Sequence, residues 1–143
     1  MNLVAAVKNP DKSVGAVMTT DLVSLKIDDT LRLADDLMNL ARLRHFPVLD
    51  RGKIVGIVNH EDLLHASMVS LLHHPKDNPR QALGTVAVKQ AMKPPTTITP
   101  ETSIYDAAEV MVEKGLECLL VVEGENLVGL VSRTDLLRQL ARR

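Results

Sequence analysis

The chain has 143 residues, 45% of them hydrophobic, enough for one compact domain or for two half-size units sharing a core. Phe46 and Tyr105 are its only aromatic residues and its net charge of −1 is interspersed, so neither stacking rings nor a broad basic face is on offer and nucleic acid is disfavoured as a partner. A single cysteine, Cys118, rules out an intramolecular disulfide, and there is no 18-residue apolar run. With no signal-peptide pattern over Met1–Asp11, a soluble cytoplasmic protein is expected.

In chain order, a short helical turn ends at Met18 and a strand is expected around Leu22–Ile27. Asp28, Asp29 and Thr30 then open a helix, the acids facing the positive end of its dipole and the hydroxyl able to cap. Its apolar stripe, Leu31, Ala34, Met38 and Ala41, has helical spacing. Two short apolar runs, Phe46–Leu49 and Ile54–Val58, flank a polar turn at Gly52 and read as strands covered on both faces. A helix carrying Leu63 and Leu64 follows Asn59. Residues His73 to Gly84, with Pro75, Pro79 and Gly84, read as a linker. Its adjacent His73 and His74 lack carboxylates or thiols at ligand spacing, so no metal is expected there.

The same order then recurs. A turn ends at Met92, a strand is expected at Thr96–Thr99, and Glu101, Thr102 and Ser103 open a helix with Ile104, Ala107 and Met111 on one face. Gly115 is placed to close it as a left-handed cap. Cys118, beside the next apolar run, reads as a small buried hydrophobe. Strands Leu119–Val122 and Leu127–Val131 surround Gly124, and a last helix with Leu136 and Leu137 follows Ser132. The basic residues from Arg138 to Arg143 suit a helix C-terminus. Met38, Met68 and Met111 fit core or dimer packing, His65 a surface or interface position, and Asp35 and Asp36 a solvated face.

This recurrence is a gapless repeat. Residues 23–64 moved forward by 73 fall on 96–137, superposing Ala34 on Ala107, Met38 on Met111, Val48 on Val121, Val55-Gly56 on Val128-Gly129 and Asp62-Leu63-Leu64 on Asp135-Leu136-Leu137. Only two copies occur, whereas open solenoids need three or more, so two half-domains about a pseudo-twofold axis with paired clefts are expected.

The sharpest chemical signal is the last strand-to-helix junction of each copy, Gly56 to Asp62 and Gly129 to Asp135. Ser132 with Asp135, or Asn59 with Asp62, has the spacing of a side-chain-capped helix start. The same geometry suits a nucleotide: unpaired helix N–H groups attract phosphate, the Ser132 hydroxyl can donate to it, Arg133 adds charge, and an aspartate can accept from two ribose hydroxyls. Spacing alone leaves both readings open.

Both copies resemble CBS motifs, and the pair resembles a Bateman module. The marks are Met18 and Met92, the Arg44-His45-Phe46-Pro47-Val48 run, and two Gly-x-x-x-x-x-Asp endings in register. The resemblance covers residues 14–66 and 86–141, with 67–85 as linker. It implies a mixed α/β (α+β) fold of two βαββα-type repeats and an adenosine-ligand site in each of two clefts. The main cleft would combine Thr20, Leu22, Val23, Arg44, His45 and Pro47 with Ser132, Arg133, Thr134 and Asp135. There Asp135 would take the ribose and Ser132 the phosphate. Arg44, His45 and Arg133 would offset phosphate charge, and Val23 and Pro47 would bracket adenine.

The second cleft would join Thr96, Glu117, Cys118 and Leu120 to Asn59, His60 and Asp62. It departs from the pattern at Asn59, Leu120 and Glu117, and an acid beside a phosphate is unfavourable by about a kcal/mol. That cleft is expected to be empty or to take an adenosine ligand without phosphates. The resemblance thus implies a non-enzymatic regulatory module for AMP, ADP or ATP, with S-adenosylmethionine or NAD as further ligands, signalling to a separate protein. It also implies a disc-like homodimer, for which Leu63, Leu64, Leu136, Leu137 and Leu140 would supply a helical interface. The alternative is an assembly module whose clefts no longer bind ligand. No Ser-His-Asp or Cys-His arrangement points to catalysis.

Overall fold

Residues 12–76 and 78–141 are described in a computed structural model. The expectations placed on Met1–Asp11, and on Arg142 and Arg143 of the basic tail, lie outside these residues. After a 3₁₀ turn at Val14–Ala16, the first repeat contains β1 (Leu25–Lys26), α1 (Leu31–Ala41), β2 (His45–Asp50), β3 (Lys53–Asn59) and α2 (His60–His73). Two short helices follow, α3 (Pro79–Leu83) and α4 (Val88–Ala91). The second repeat contains β4 (Thr97–Ile98), α5 (Ile104–Lys114), β5 (Cys118–Glu123), β6 (Asn126–Ser132) and α6 (Arg133–Ala141). The mixed α/β class and the repeated element order agree with the sequence reading.

The chain divides into two compact units. One is continuous, Val23–Pro95, and its sheet has the order β1-β2-β3. In it β1 runs parallel to β2, pairing Leu25 with Val48, and β2 runs antiparallel to β3 from His45–Asn59 to Asp50–Lys53. Arg51 and Gly52 both hold positive φ, 52° and 80°, the backbone a two-residue hairpin loop demands. The Thr30 hydroxyl accepts from the Leu33 N–H and starts α1, which buries Leu31, Ala34 and Met38. Those three join Leu25, Phe46, Val48, Val58, Leu63, Leu83 and Val88 in one core.

The expected linker is partly structured. Asn78 and Gln81 cap α3 reciprocally, each side-chain oxygen accepting the other's N–H at 2.8 and 3.2 Å, with Pro79 at its first position. Ala82 and Leu83 are buried as α3 packs on α1 and α2, and Arg80 reaches Asp36 at 2.9 Å.

The other unit joins the described residues up to Leu22 to Thr96–Ala141. Its sheet, β4-β5-β6, repeats the first in topology, register and bulge position. Ser103 caps α5 through the Asp106 N–H, and Gly115 closes it at φ 64°, as expected. The first repeat meets the same need with Arg42 at φ 55°. Val14 is fully buried with Ala107, Met111, Leu119, Val121 and Val131, its N–H donating to the Thr102 carbonyl at 2.7 Å.

The opening turns follow a rule that the repeat alone does not reveal: each packs with the other repeat's sheet. Thr19 pairs with Leu130 through N–H···O bonds of 2.8 and 2.9 Å, and Met18 lies over Gly129. Lys93 pairs with Ile57 at 2.9 and 3.0 Å, and Met92 lies over Gly56. Gly56 and Gly129 are therefore required for close approach, since an added Cβ would overlap the methionine sulfur.

Three smaller expectations are corrected. The first strands are two residues each rather than four to six, because only Leu25–Lys26 and Thr97–Ile98 come into register with β2 and β5. Ala41 is exposed at the end of the α1 stripe. Leu63, expected at an interface, is buried because it joins the core that holds Met38.

Candidate functional site

Each strand-to-helix junction holds one buried aspartate. In the unit containing α6, the Ser132 N–H donates to Asp135 Oδ2 at 2.9 Å and the Asp135 N–H donates to Ser132 Oγ at 3.1 Å. The capping reading of this pair is therefore correct. Asp135 is only 7% exposed. Thr19 Oγ1 lies 3.3 and 3.2 Å from its two oxygens, and Arg138 approaches Oδ1 at 3.8 Å. A carboxylate has about four lone-pair positions, so these contacts orient Asp135 and still leave it acceptor capacity. Ser132 Oγ accepts from Asp135 and retains its own hydrogen to donate.

The expectation of several unpaired N–H groups at the α6 start needs correction. The Arg133 N–H donates to the Glu117 carbonyl at 2.9 Å, and that of Asp135 is taken by Ser132. An anion arriving here would meet the Thr134 N–H, the Ser132 hydroxyl and the exposed Arg133 side chain. Arg133 Nε also donates to the Leu116 carbonyl at 3.4 Å, which draws the guanidinium toward the end of α5.

The junction of the continuous unit is built on the same frame with different chemistry. The Asn59 N–H donates to Asp62 Oδ2 at 2.8 Å, and the His60 N–H to the Arg44 carbonyl at 3.0 Å. Asn59 Oδ1 lies 2.8 Å from His45 Nδ1, across the β2–β3 pair that sets these residues opposite each other. Lys93 Nζ reaches Asp62 Oδ1 at 3.0 Å, occupying the place that Thr19 holds against Asp135. Lys93 thus sets a cation directly beside the Asp62 carboxylate. Asp62 is 6% exposed and lines a mixed polar cleft of about 730 Å³ together with His65, Gln90 and Lys93.

Of the residues expected in the main cleft, Thr20, Leu22, Ser132, Arg133, Thr134 and Asp135 lie in one unit, and Val23, Arg44, His45 and Pro47 in the other. Of those expected in the second cleft, Asn59, His60 and Asp62 lie in the continuous unit, and Thr96, Glu117, Cys118 and Leu120 in its neighbour. Within the units, His45 is brought to Asn59 and Thr96 to Leu120, whose N–H donates to the Thr96 carbonyl at 3.0 Å. Pro47, Leu120 and Cys118 are buried, and Thr20, Arg44, Arg133 and Thr134 are exposed. Thr19 and Lys93, which hold the two aspartates, were not singled out from the sequence. Their signal was the Met-Thr and Met-Lys pairs at the two opening turns, offset by 74 rather than 73. Among the described residues no group of three or more histidine, cysteine, aspartate or glutamate residues could hold a metal ion.

Two three-stranded sheets, each with a parallel first strand, a hairpin and a capped helix bearing a buried aspartate, define a tandem pair of βαββα repeats. The CBS domain family model matches residues 14–69 and 88–142, and the chain belongs to that family.

The fold is shared with the CBS domain of a CBS domain-containing membrane protein from Sphaerobacter thermophilus. That structure is 25% identical, with a TM-score of 0.76 and coverage of 96% of this chain and 93% of that one. CBSX2, solved in complex with AMP, is 24% identical with a TM-score of 0.75, covering 92% of this chain and 99% of that one, a likeness of fold. An uncharacterized protein of Methanocaldococcus jannaschii is 29% identical over 126 residues, 87% of this chain. The chain spans 43% of that relative's length. No described helix is long and apolar enough to cross a membrane.

Proposed function

We propose that this chain is a regulatory module that binds an adenosine-containing ligand at its buried junction aspartates and passes occupancy to a separate protein. The observation that carries the reading is Asp135: buried, oriented by Thr19 and Ser132, and left with acceptor positions for paired hydroxyls. A cap alone needs one carboxylate oxygen and no threonine. Ser132, Thr134 and Arg133 stand where a phosphate would follow, and the resemblance assigns Thr20, Leu22, Val23, Arg44, His45 and Pro47 to the same ligand. AMP, ADP and ATP lead the candidates, with S-adenosylmethionine and NAD behind them; the AMP bound to CBSX2 points the same way. At Asp62, Lys93 supplies the cation that a phosphate would need, so this site gains a claim to charged ligands that Glu117 had weakened.

Nothing in either junction pairs a nucleophile with a base, which favours a sensor over an enzyme. A cytoplasmic homodimer is part of the proposal. Leu64, 52% exposed, and Leu137, 61% exposed, are the equivalent residues of α2 and α6 and the best-placed apolar contacts for it. The same side chains, with Leu40 and Val112 at 83% and 82%, favour a second reading: an assembly module with ligand-free junctions.

Thermal unfolding with AMP, ADP, ATP, NAD and S-adenosylmethionine separates the two. A ligand at a hundred times its Kd should add about 2.7 kcal/mol. Asp135→Ala should abolish that gain, and Asp62→Ala should reduce it less. If no adenosine compound raises the Tm, the assembly reading stands instead.

A further inference from the structure

The two junction aspartates are equivalent in the repeat but are held by different kinds of neighbour. Thr19 and Lys93 occupy matching places, each paired through its backbone with the last strand of a sheet, at Leu130 and at Ile57. Against Asp135 that place holds a neutral hydroxyl, 3.3 and 3.2 Å from the two carboxylate oxygens. Against Asp62 it holds an ammonium, with Lys93 Nζ 3.0 Å from Oδ1.

We propose that Lys93 sets ligand specificity at the Asp62 junction. It restricts that site to ribosyl ligands that carry an anion, such as a nucleoside phosphate, and turns away the neutral nucleoside. The inference rests on the reading of the junctions as adenosine sites and adds a selection rule that differs between the two.

Three observations carry it. The first is the state of the carboxylate. The Asp62 side chain is only 5% exposed, Oδ2 accepts from the Asn59 N–H at 2.8 Å, and Oδ1 holds the ammonium. A pair of ribose hydroxyls reaching Asp62 must share it with Lys93 or displace Lys93. A buried carboxylate loses more by giving up a cation than it gains from a neutral donor. A neutral nucleoside therefore competes against the protein's own lysine. A ligand with an anion does not, because the ammonium can pass to that anion as the hydroxyls take Asp62.

The second is the charge of the cleft. Among the described residues lining its 730 Å³, Lys93 is the only lysine or arginine, whereas Glu61 and Asp62 are both acids. Without Lys93 a phosphate there would meet two carboxylates and no lining cation. The other junction has Arg133 at the start of α6, where the continuous unit has His60, so its attraction for an anion does not depend on the opening turn. The third is reach. Bonds of 2.9 and 3.0 Å to Ile57 hold the Lys93 backbone, while its side chain is 59% exposed. A change of rotamer alone can move the ammonium from Asp62 to a ligand in the cleft.

Isothermal titration calorimetry with AMP and adenosine on the full chain tests this, with Asp135→Ala closing the other junction. Should that variant not fold, Asp135→Asn keeps an acceptor for the Ser132 N–H. In either background AMP should bind about tenfold more tightly than adenosine, the effect of one charge-assisted contact. Adding Lys93→Thr, which copies Thr19, should erase that preference by weakening AMP while adenosine binds no less tightly. Lys93→Arg should retain it. An unchanged AMP-to-adenosine ratio in Lys93→Thr overturns the proposal, and so does equal weakening of both ligands, which is the mark of a merely structural lysine. It also falls if the chain without Asp135 binds neither ligand although the parental chain binds AMP. Failure of the parental chain to bind any adenosine compound is a different result: it removes the reading of the junctions as adenosine sites, and this proposal with it.

Discussion

Arg42 and Gly115 occupy the same left-handed position at the end of equivalent helices, at φ 55° and 64°. A side chain there costs roughly 1–2 kcal/mol against glycine, while glycine has about 0.5–1 kcal/mol more chain entropy to lose. Arg42→Gly should therefore stabilise the protein by about 0.5–1 kcal/mol and Gly115→Ala should destabilise it by about 1 kcal/mol, both read from urea midpoints at unchanged slope. At this scale the sequence told much of the story. Ser132, Asp135, Asn59 and Asp62 could be picked out because a cap and its partner sit three residues apart. Thr19 and Lys93 could not, because they reach the aspartates through pairing with Leu130 and Ile57, more than thirty positions away in sequence. Thr19→Val tests whether that contact matters to ligand as well as to fold. Loss of one hydrogen bond to a charged group should cost about 1.5–3 kcal/mol of stability, and the Tm gain from an adenosine ligand should shrink as Asp135 loses its orientation.

Among elements, the four long strands and the capped helices followed from apolar runs and from hydroxyls at helix starts, both local signals. α3 was hidden by Pro75, Pro79 and Gly84, which read as loop punctuation. Yet Asn78-Pro79 with Gln81 is a helix start written in full: a cap, a proline at the first position and the reciprocal partner. Docking of the opening turns was not legible either, since it depends on the absence of a side chain on a distant strand. Gly129 admits Met18, and Gly56 admits Met92. Gly129→Val would force the Met18 side chain and the Thr19 carbonyl away from β6, at a cost of about 1–3 kcal/mol from overpacking. Hydrogen exchange should then show faster exchange at the N–H groups of Thr19 and Leu130, which bond each other's carbonyls. Exchange in the β4–β5 pair should change little. Uniform acceleration across the whole unit would mean instead that the turn and the sheet open together.

For the molecule as a whole, the repeat boundaries and the folding boundaries are not the same. The family model divides the chain as 14–69 and 88–142, whereas packing divides it at Leu22 and Pro95. The continuous unit owns every strand, helix and core residue that it needs. Its neighbour does not, because Val14, Met18 and Thr19 reach it from the far end of the sequence. Burial of Val14 alone is worth about 1.5–3 kcal/mol, and the Thr19–Leu130 pair and the Asp135 contact add to it. Against a total stability of about 5–15 kcal/mol for a typical domain, losing that group is enough to unfold a unit this small. A fragment of residues 23–95 should therefore give a dispersed amide spectrum, whereas a fragment of residues 86–143, a complete repeat by sequence, should not. Adding a peptide of residues 12–22 should restore dispersion to the second fragment. If residues 86–143 fold without the peptide, the exchanged turn is a decoration on the unit; if they fold only with it, the covalent chain is what keeps each repeat dependent on the other.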